Sequence, residues 1–308
     1  MDTLTTQSDI DPVTADTFVQ VTEIWVPEGN RLVLSSGVYG MLEDFANTSA
    51  EQSFAYGEGL PGKAWAEGRP VVLKAFEGSY FKRTEAAIAA GLTAAVAIPV
   101  FDDEDLKAVL VVLCGDDEKR TGAIEIWQEH EGLLTLADGY YGAAKHFEWV
   151  SQHTSFPKGQ GLPGGVWASN TPMLMRDLGS GYRFIRAESA GQAGLTTGLG
   201  LPVPQPNGET VVLALLSAKG TPIARRFEIW DARAAEALLV DGLCEREGPL
   251  WGSDRRITAW KGPLGQALAT GVPVVASGGA NIAQGYGSLV ALPIIHEGKV
   301  VHIVAWYY

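Results

Sequence analysis

The sequence predicts an α+β fold of three tandem modules, each a mostly antiparallel sheet with short helices. Four repeated marks carry that reading. The tripeptide Glu-Ile-Trp occurs at Glu23-Ile24-Trp25, Glu125-Ile126-Trp127 and Glu228-Ile229-Trp230, with its tryptophans 102 and 103 residues apart. A second mark keeps the same register, as Gly59-Leu60-Pro61-Gly62, Gly161-Leu162-Pro163-Gly164 and a scrambled Gly262-Pro263-Leu264-Gly265. Two more follow in the same order: Pro70-Val71-Val72 against Pro172-Met173-Leu174 and Pro273-Val274-Val275, then residues 91–99 against 194–202 and 285–293. Self-similarity at a constant period marks a repeat architecture.

Within one unit the elements follow from local chemistry. Residues 18–26 and 31–39 are β-rich runs separated by Pro27-Glu28-Gly29-Asn30, a turn composition that predicts an antiparallel hairpin. Gly59-Leu60-Pro61-Gly62 opens a short helical turn over 63–67, and a short strand follows at 70–73. Residues 84–90 are helix-compatible and end at Gly91, a C-terminal stop. Two strands close the unit, at 92–101 and 106–114, joined by Asp102-Asp103-Glu104-Asp105. The last strand is apolar on both alternating sets of positions, so both of its faces should be covered and it should be central.

The repeats divide the chain into a polar N-terminal tail (1–17) and modules at 18–120, 121–223 and 224–308, with almost no linker between them. The third is trimmed: Pro273 to Pro293 is 20 residues where the first two modules have 29 and 30. Hydrophobic residues make up 46% of 308, ample for globular cores. The net charge of −13 works against a sequence-independent grip on nucleic acid or an anionic membrane. That charge is uneven, at −4 for the tail, −7 for the first module, −2 for the second and 0 for the third, so the argument is strongest at the N-terminal end. No apolar run approaches the roughly 18 residues of a membrane span, and the first residues lack the pattern of a signal peptide. A soluble, cytoplasmic, acidic protein is the expectation.

The pattern resembles the GAF family of small-molecule sensory domains. The second repeat carries it best, in Gly161-Leu162-Pro163-Gly164-Gly165-Val166-Trp167, Pro172-Met173-Leu174-Met175-Arg176-Asp177, Arg183-Phe184-Ile185-Arg186, Ala193-Gly194-Leu195 and Gly200-Leu201-Pro202-Val203. GAF domains usually have helices before the first strand and after the last. These repeats have no room for them, so neighbouring repeats or a second copy of the chain must cover the back faces, and a homodimer is an expectation on that ground.

The resemblance implies a ligand pocket beneath the segment 176–186. It points to Trp167, Arg176, Asp177, Tyr182, Arg183, Phe184 and Thr197 as ligand-binding, with the planar guanidinium groups suited to an anion. A second pocket would use Trp65, Lys74, Tyr80 and Phe81. The competing reading of the arginines is a solvated loop with Arg183 or Arg186 paired to Glu188 or Asp177. The recurrent tryptophans read first as shared packing in an edge hairpin.

Cys114 and Cys244 read as buried, inert thiols, too few and too scattered for the redox cysteines of a GAF-fold methionine sulfoxide reductase. His146 and His153, placed in a loop, have no zinc spacing, and Gly57-x-Gly59-x-x-Gly62 reads as a turn and not a dinucleotide fingerprint. No catalytic set, metal site or cofactor is expected. The functional expectation is a non-enzymatic sensory or regulatory protein that binds a small, anionic molecule and signals through a protein effector. Its rival is an interaction or assembly scaffold whose pockets are filled by side chains.

Overall fold

The computed structural model describes residues 17–180, 183–250, 254–278, 282, 283 and 285–308. The first module runs β1 (Val19–Glu28), β2 (Arg31–Val38), α1 (Glu43–Ala50), β3 (Ser53–Ala55), α2 (Gly59–Glu67), β4 (Val71–Leu73), α3 (Thr84–Ala89), β5 (Leu92–Asp102) and β6 (Asp105–Gly115). The second repeats it as β7 (Thr121–His130), β8 (Leu133–Gly142), α4 (Lys145–Gln152), β9 (Ser155–Pro157), α5 (Gly161–Ser169), β10 (Met173–Arg176), α6 (Ala187–Gln192), β11 (Leu195–Val203) and β12 (Val211–Ala218). The third comprises β13 (Arg226–Asp231), β14 (Ala237–Cys244), β15 (Gly248–Pro249), β16 (Arg256–Ile257), α7 (Gly262–Thr270), β17 (Val274–Ser277), β18 (Ser288–His296) and β19 (Lys299–Tyr307).

Each module is one antiparallel sheet, with strand orders β3-β2-β1-β6-β5-β4, β9-β8-β7-β12-β11-β10 and β15-β14-β13-β19-β18-β17. The GAF-like α+β architecture is therefore present three times. The Glu-Ile-Trp strands are not at an edge as expected: β1 lies between β2 and β6, β7 between β8 and β12, and β13 between β14 and β19.

The Gly-Leu-Pro-Gly motif starts the helix itself, four residues earlier than expected, and the backbone explains its composition. Gly59, Gly161 and Gly262 have φ of +60°, +63° and +67°, which favours glycine. A Cβ on the second glycine, Gly62 or Gly164, would lie 2.1 Å from Ala55 O or 2.3 Å from Pro157 O. The motif is thus the tight first turn of the helix.

The two faces of each sheet have different partners. Ile24, Ile126 and Ile229 of the three tripeptides point into one apolar core shared by all three modules, with Ile98, Leu110, Leu201, Leu213, Leu292 and Val304. At one end of it the three proline-ended strands converge around a void of only about 20 Å³. Tight packing of this kind stabilises each fully buried aliphatic side chain by roughly 1.5–3 kcal/mol. The back faces left bare by the missing helices are thus covered inside the one chain, which removes the ground for expecting a second copy. The opposite faces each carry their own core beneath the short helices.

Edge strands close the arrangement. Lys74, just past β4 of the first module, reaches Asp138 Oδ1 on β8 at 2.9 Å, and Arg176, at the equivalent edge of the second, pairs with Asp241 on β14. The third module's β17 packs against β2 of the first. Among the described residues no helix is long and apolar enough to cross a membrane.

Candidate functional site

The place where the resemblance puts a ligand is the interior between sheet and helices. On β1, Glu23 and Trp25 face it together because side chains alternate. Glu23 accepts from Trp25 Nε1 at 3.0 Å, from the Tyr39 hydroxyl at 3.1 Å and from Arg83 Nη2 at 2.9 Å. Arg83 Nη1 also bonds Glu23 and Ser49 Oγ. The second module repeats this residue for residue: Glu125 accepts from Trp127 Nε1 (3.0 Å), Tyr141 (3.1 Å) and Arg186 Nη2 (2.8 Å), and Arg186 Nη1 bonds Glu125 and Ser151. The Arg186 guanidinium carbon is 4.6–5.5 Å from the ring centres of Trp127, Phe147, Phe156 and Phe184. Its side chain is 1% exposed and that of Glu125 is 0% exposed, so the space is occupied by the protein itself.

In the third module the trimmed segment removes the equivalent arginine, and two others replace it. Arg226 Nε and Nη2 bond Glu228 Oε1 at 2.8 and 2.6 Å, and Arg255 Nη1 joins them at 2.8 Å. Trp230 Nε1 and the Tyr307 hydroxyl complete the set at 3.1 and 2.8 Å. Burial first, then the glutamate beside each, pushes the hydroxyls of Tyr39, Tyr141 and Tyr307 far above the phenol range, so all three remain donors.

The sequence-derived candidates divide among different places. Phe184 is buried in the second interior, stacked on Phe147. Trp167 is half-buried on α5, 5.4 Å from Lys158 Nζ, and lines a separate cleft of about 400 Å³ where the hairpin ends carrying Asp103, Glu209 and Glu297 meet. Arg176 turns toward the third module, where Nη2 also donates to Gly242 O at 2.8 Å. Thr197 is directly across from Arg176 on β11 and lines the seam between the second and third modules. Asp177 and Arg183 are exposed, and Tyr182 lies outside the described residues.

In the first module, Phe81 is buried against Phe76, while Trp65 is half-buried with its ring edge-on to Tyr56. Tyr80 is exposed beneath Lys63 Nζ at 5.2 Å, and Lys74 is the inter-module cation described above. Arg186 pairs with Glu125, not with Glu188 or Asp177. Sequence reasoning passed over the glutamate of Glu-Ile-Trp, although its presence in all three repeats was the available signal.

Both cysteines are buried, and burial pushes the Cys114 thiol well up, away from thiolate reactivity. His146 and His153 belong to α4 and its C-cap, not to a loop, and flank the ring of Trp149. Among the described residues no cluster of three or more His, Cys, Asp or Glu could hold a metal ion. A larger cleft, about 630 Å³, lies between the second and third modules beside Thr197, Arg225 and Leu243.

This architecture defines a protein of GAF-like modules. Residues 17–137 match the family model described as GAF domain, which spans the first module and the start of the second. Among solved structures, the chain is similar to the GAF domain of A. aeolicus nlh2 in an inactive state, at 27% identity over 32% of this chain and 58% of that one, with a TM-score of 0.26. It is also similar to a free methionine-R-sulfoxide reductase from Neisseria meningitidis in complex with its substrate (18% identity, 31% and 52% covered, TM-score 0.25) and to fRMsr of Staphylococcus aureus (22%, 32% and 56%, TM-score 0.25). The chain thus spans between half and three fifths of the length of these structures. No curated protein gives a significant match.

Proposed function

We propose that this protein is a regulatory, non-enzymatic GAF-like protein that acts through contact with a protein effector, with module interiors that serve as structure and not as ligand sites. The observation that carries this is the buried Glu-Trp-Tyr-Arg cluster, which takes up the family's pocket position in the first two modules and has a substitute in the third. A molecule entering there would have to displace an arginine bonded to a buried carboxylate, which leaves an uncompensated charge costing several kcal/mol.

The outer surface of the second module supports the same reading. Trp149 is 57% exposed and Ile185 52% exposed, and the first module has Asn47 and Lys82 at the equivalent positions. The fold therefore does not require apolar groups there, and exposed aromatics of this kind suit a protein contact. Photo-crosslinking from position 149 in the source cells should trap a discrete partner chain, and Trp149→Lys should release that partner in pull-down. The reading fails if no partner is trapped and protein purified from its own host crystallises with a small molecule beside Arg186.

A further inference from the structure

We propose that the cleft between the second and third modules is a binding site for a small aromatic carboxylate. Comparing the chain with itself gives the argument. At the seam of the first and second modules, the Asp117 carboxylate accepts hydrogen bonds from the hydroxyls of Thr93 and Tyr140, and the Tyr140 ring packs on Phe18 at 5.4 Å. At the seam of the third and first modules Tyr308 is buried, with its hydroxyl 3.1 Å from Thr22 Oγ1 and accepting from Trp306 Nε1 at 3.0 Å. Two of the three seams are therefore filled by a tyrosine.

At the remaining seam the residues equivalent to Thr93, Asp117 and Tyr140 are Thr196, Gly220 and Leu243. The strand registers confirm the equivalence: Thr93 and Thr196 both fall at the bulge that opens their strand, and Tyr140 and Leu243 pair with Ile124 and Phe227. The hydroxyl is kept and, with the carboxylate and the phenol ring gone, makes only a long bond to Ser217 O at 3.4 Å, which a ligand carboxylate would replace. All three residues line the cleft of about 630 Å³, a size within the range of small-molecule sites.

The charge of the seam has also changed. Lys219 and Arg225 line this cleft where the first seam has Asp116 and Gly122. Among the described residues neither side chain has a salt bridge or a hydrogen bond, although Arg225 lies near enough to Glu245 to favour its charged form. One carboxylate, Glu245, shares the lining, so two cations face one fixed anion and the balance suits a monoanion better than a polyphosphate. A ligand carboxylate would take the place of the missing Asp117, bonding Thr196 and facing Lys219 and Arg225, while a ring against Leu243 and Phe227 would take the place of Tyr140.

The test is calorimetric titration of the full chain with benzoate, 4-hydroxybenzoate, phenol and acetate. Benzoate and 4-hydroxybenzoate should bind at one saturable site, and phenol or acetate, each lacking half of the missing group, about tenfold or more weakly. Leu243→Tyr restores the ring of the filled seam and Lys219→Asp restores its charge. Each should weaken benzoate by about tenfold or more. Lys219 is exposed, so Lys219→Asp keeps the test decisive even where Leu243→Tyr fails to fold. The assignment is overturned if neither aromatic carboxylate binds, if phenol binds as tightly as benzoate, or if Lys219→Asp binds benzoate with wild-type affinity.

Discussion

Arg186→Met gives the sharpest measure of how dry the second interior is. The substitution keeps an unbranched, apolar side chain among Trp127, Phe147, Phe156 and Phe184, but removes the cation from a carboxylate that has no exposed surface. Glu125 would keep its bonds from Trp127 and Tyr141 only. Removing one partner of such a buried pair costs about 3–5 kcal/mol. The double variant Arg186→Met/Glu125→Gln removes both charges, and because Arg186 Nε is itself buried without a partner among the described residues, it should return to within about 1–2 kcal/mol of wild type. Urea unfolding followed by tryptophan fluorescence reads both numbers, and the shared core predicts one cooperative transition. A single variant within about 1 kcal/mol of wild type would refute the reasoning, since only water or a protonated carboxyl could make Glu125 so tolerant of losing its partner. An interior that accommodates water would again be a candidate ligand site.

Two further outcomes follow from the seams and the shared core. Tyr140→Leu, which gives the first seam the residue of the open one, should cost about 2 kcal/mol in urea unfolding through the lost hydrogen bond to Asp117 and the lost ring contact with Phe18. His302, buried with Nδ1 unpartnered among the described residues, is held below its usual 6.5 first by desolvation, then against the pull of Asp231 and with the push of Arg233. A lowered folded-state value means that its contribution is complete above 6.5 and is lost as the pH falls, because the unfolded chain takes the proton first. Wild type should therefore lose stability as the pH falls through 6.5, a loss that His302→Val, which installs the residue at the equivalent Val211, does not show.

Much of the fold was legible because repetition multiplied weak signals. The hairpins, α3 with its stop at Gly91, and the two closing strands each have strong local chemistry, and the apolar pattern of 106–114 correctly placed β6 inside its sheet. Helix α1 was not legible: it buries only Phe45 and Ser49, so its periodicity is slight, and it is held by Phe45 in the core and by Ser49 bonding Arg83. The charged candidates were read by residue type, and type could not separate three fates. Lys74 and Arg176 bridge to the next module, Arg186 neutralises an interior glutamate, and Arg183 is exposed; the first two fates depend on partners 60 or more residues away in sequence.

Joining three equivalent modules in one chain has a consequence for what each can become. In a symmetric trimer of separate subunits, any substitution at a contact appears at all three contacts at once. A tyrosine lost from one would be lost from every one, and the assembly would bear the full cost threefold. Here the three contacts are encoded independently, so two can stay shut around Tyr140 and Tyr308 while the third dispenses with its ring at Leu243. Encoding the contacts separately turns a stability constraint shared by identical surfaces into a local freedom, and the asymmetric cleft is where that freedom shows.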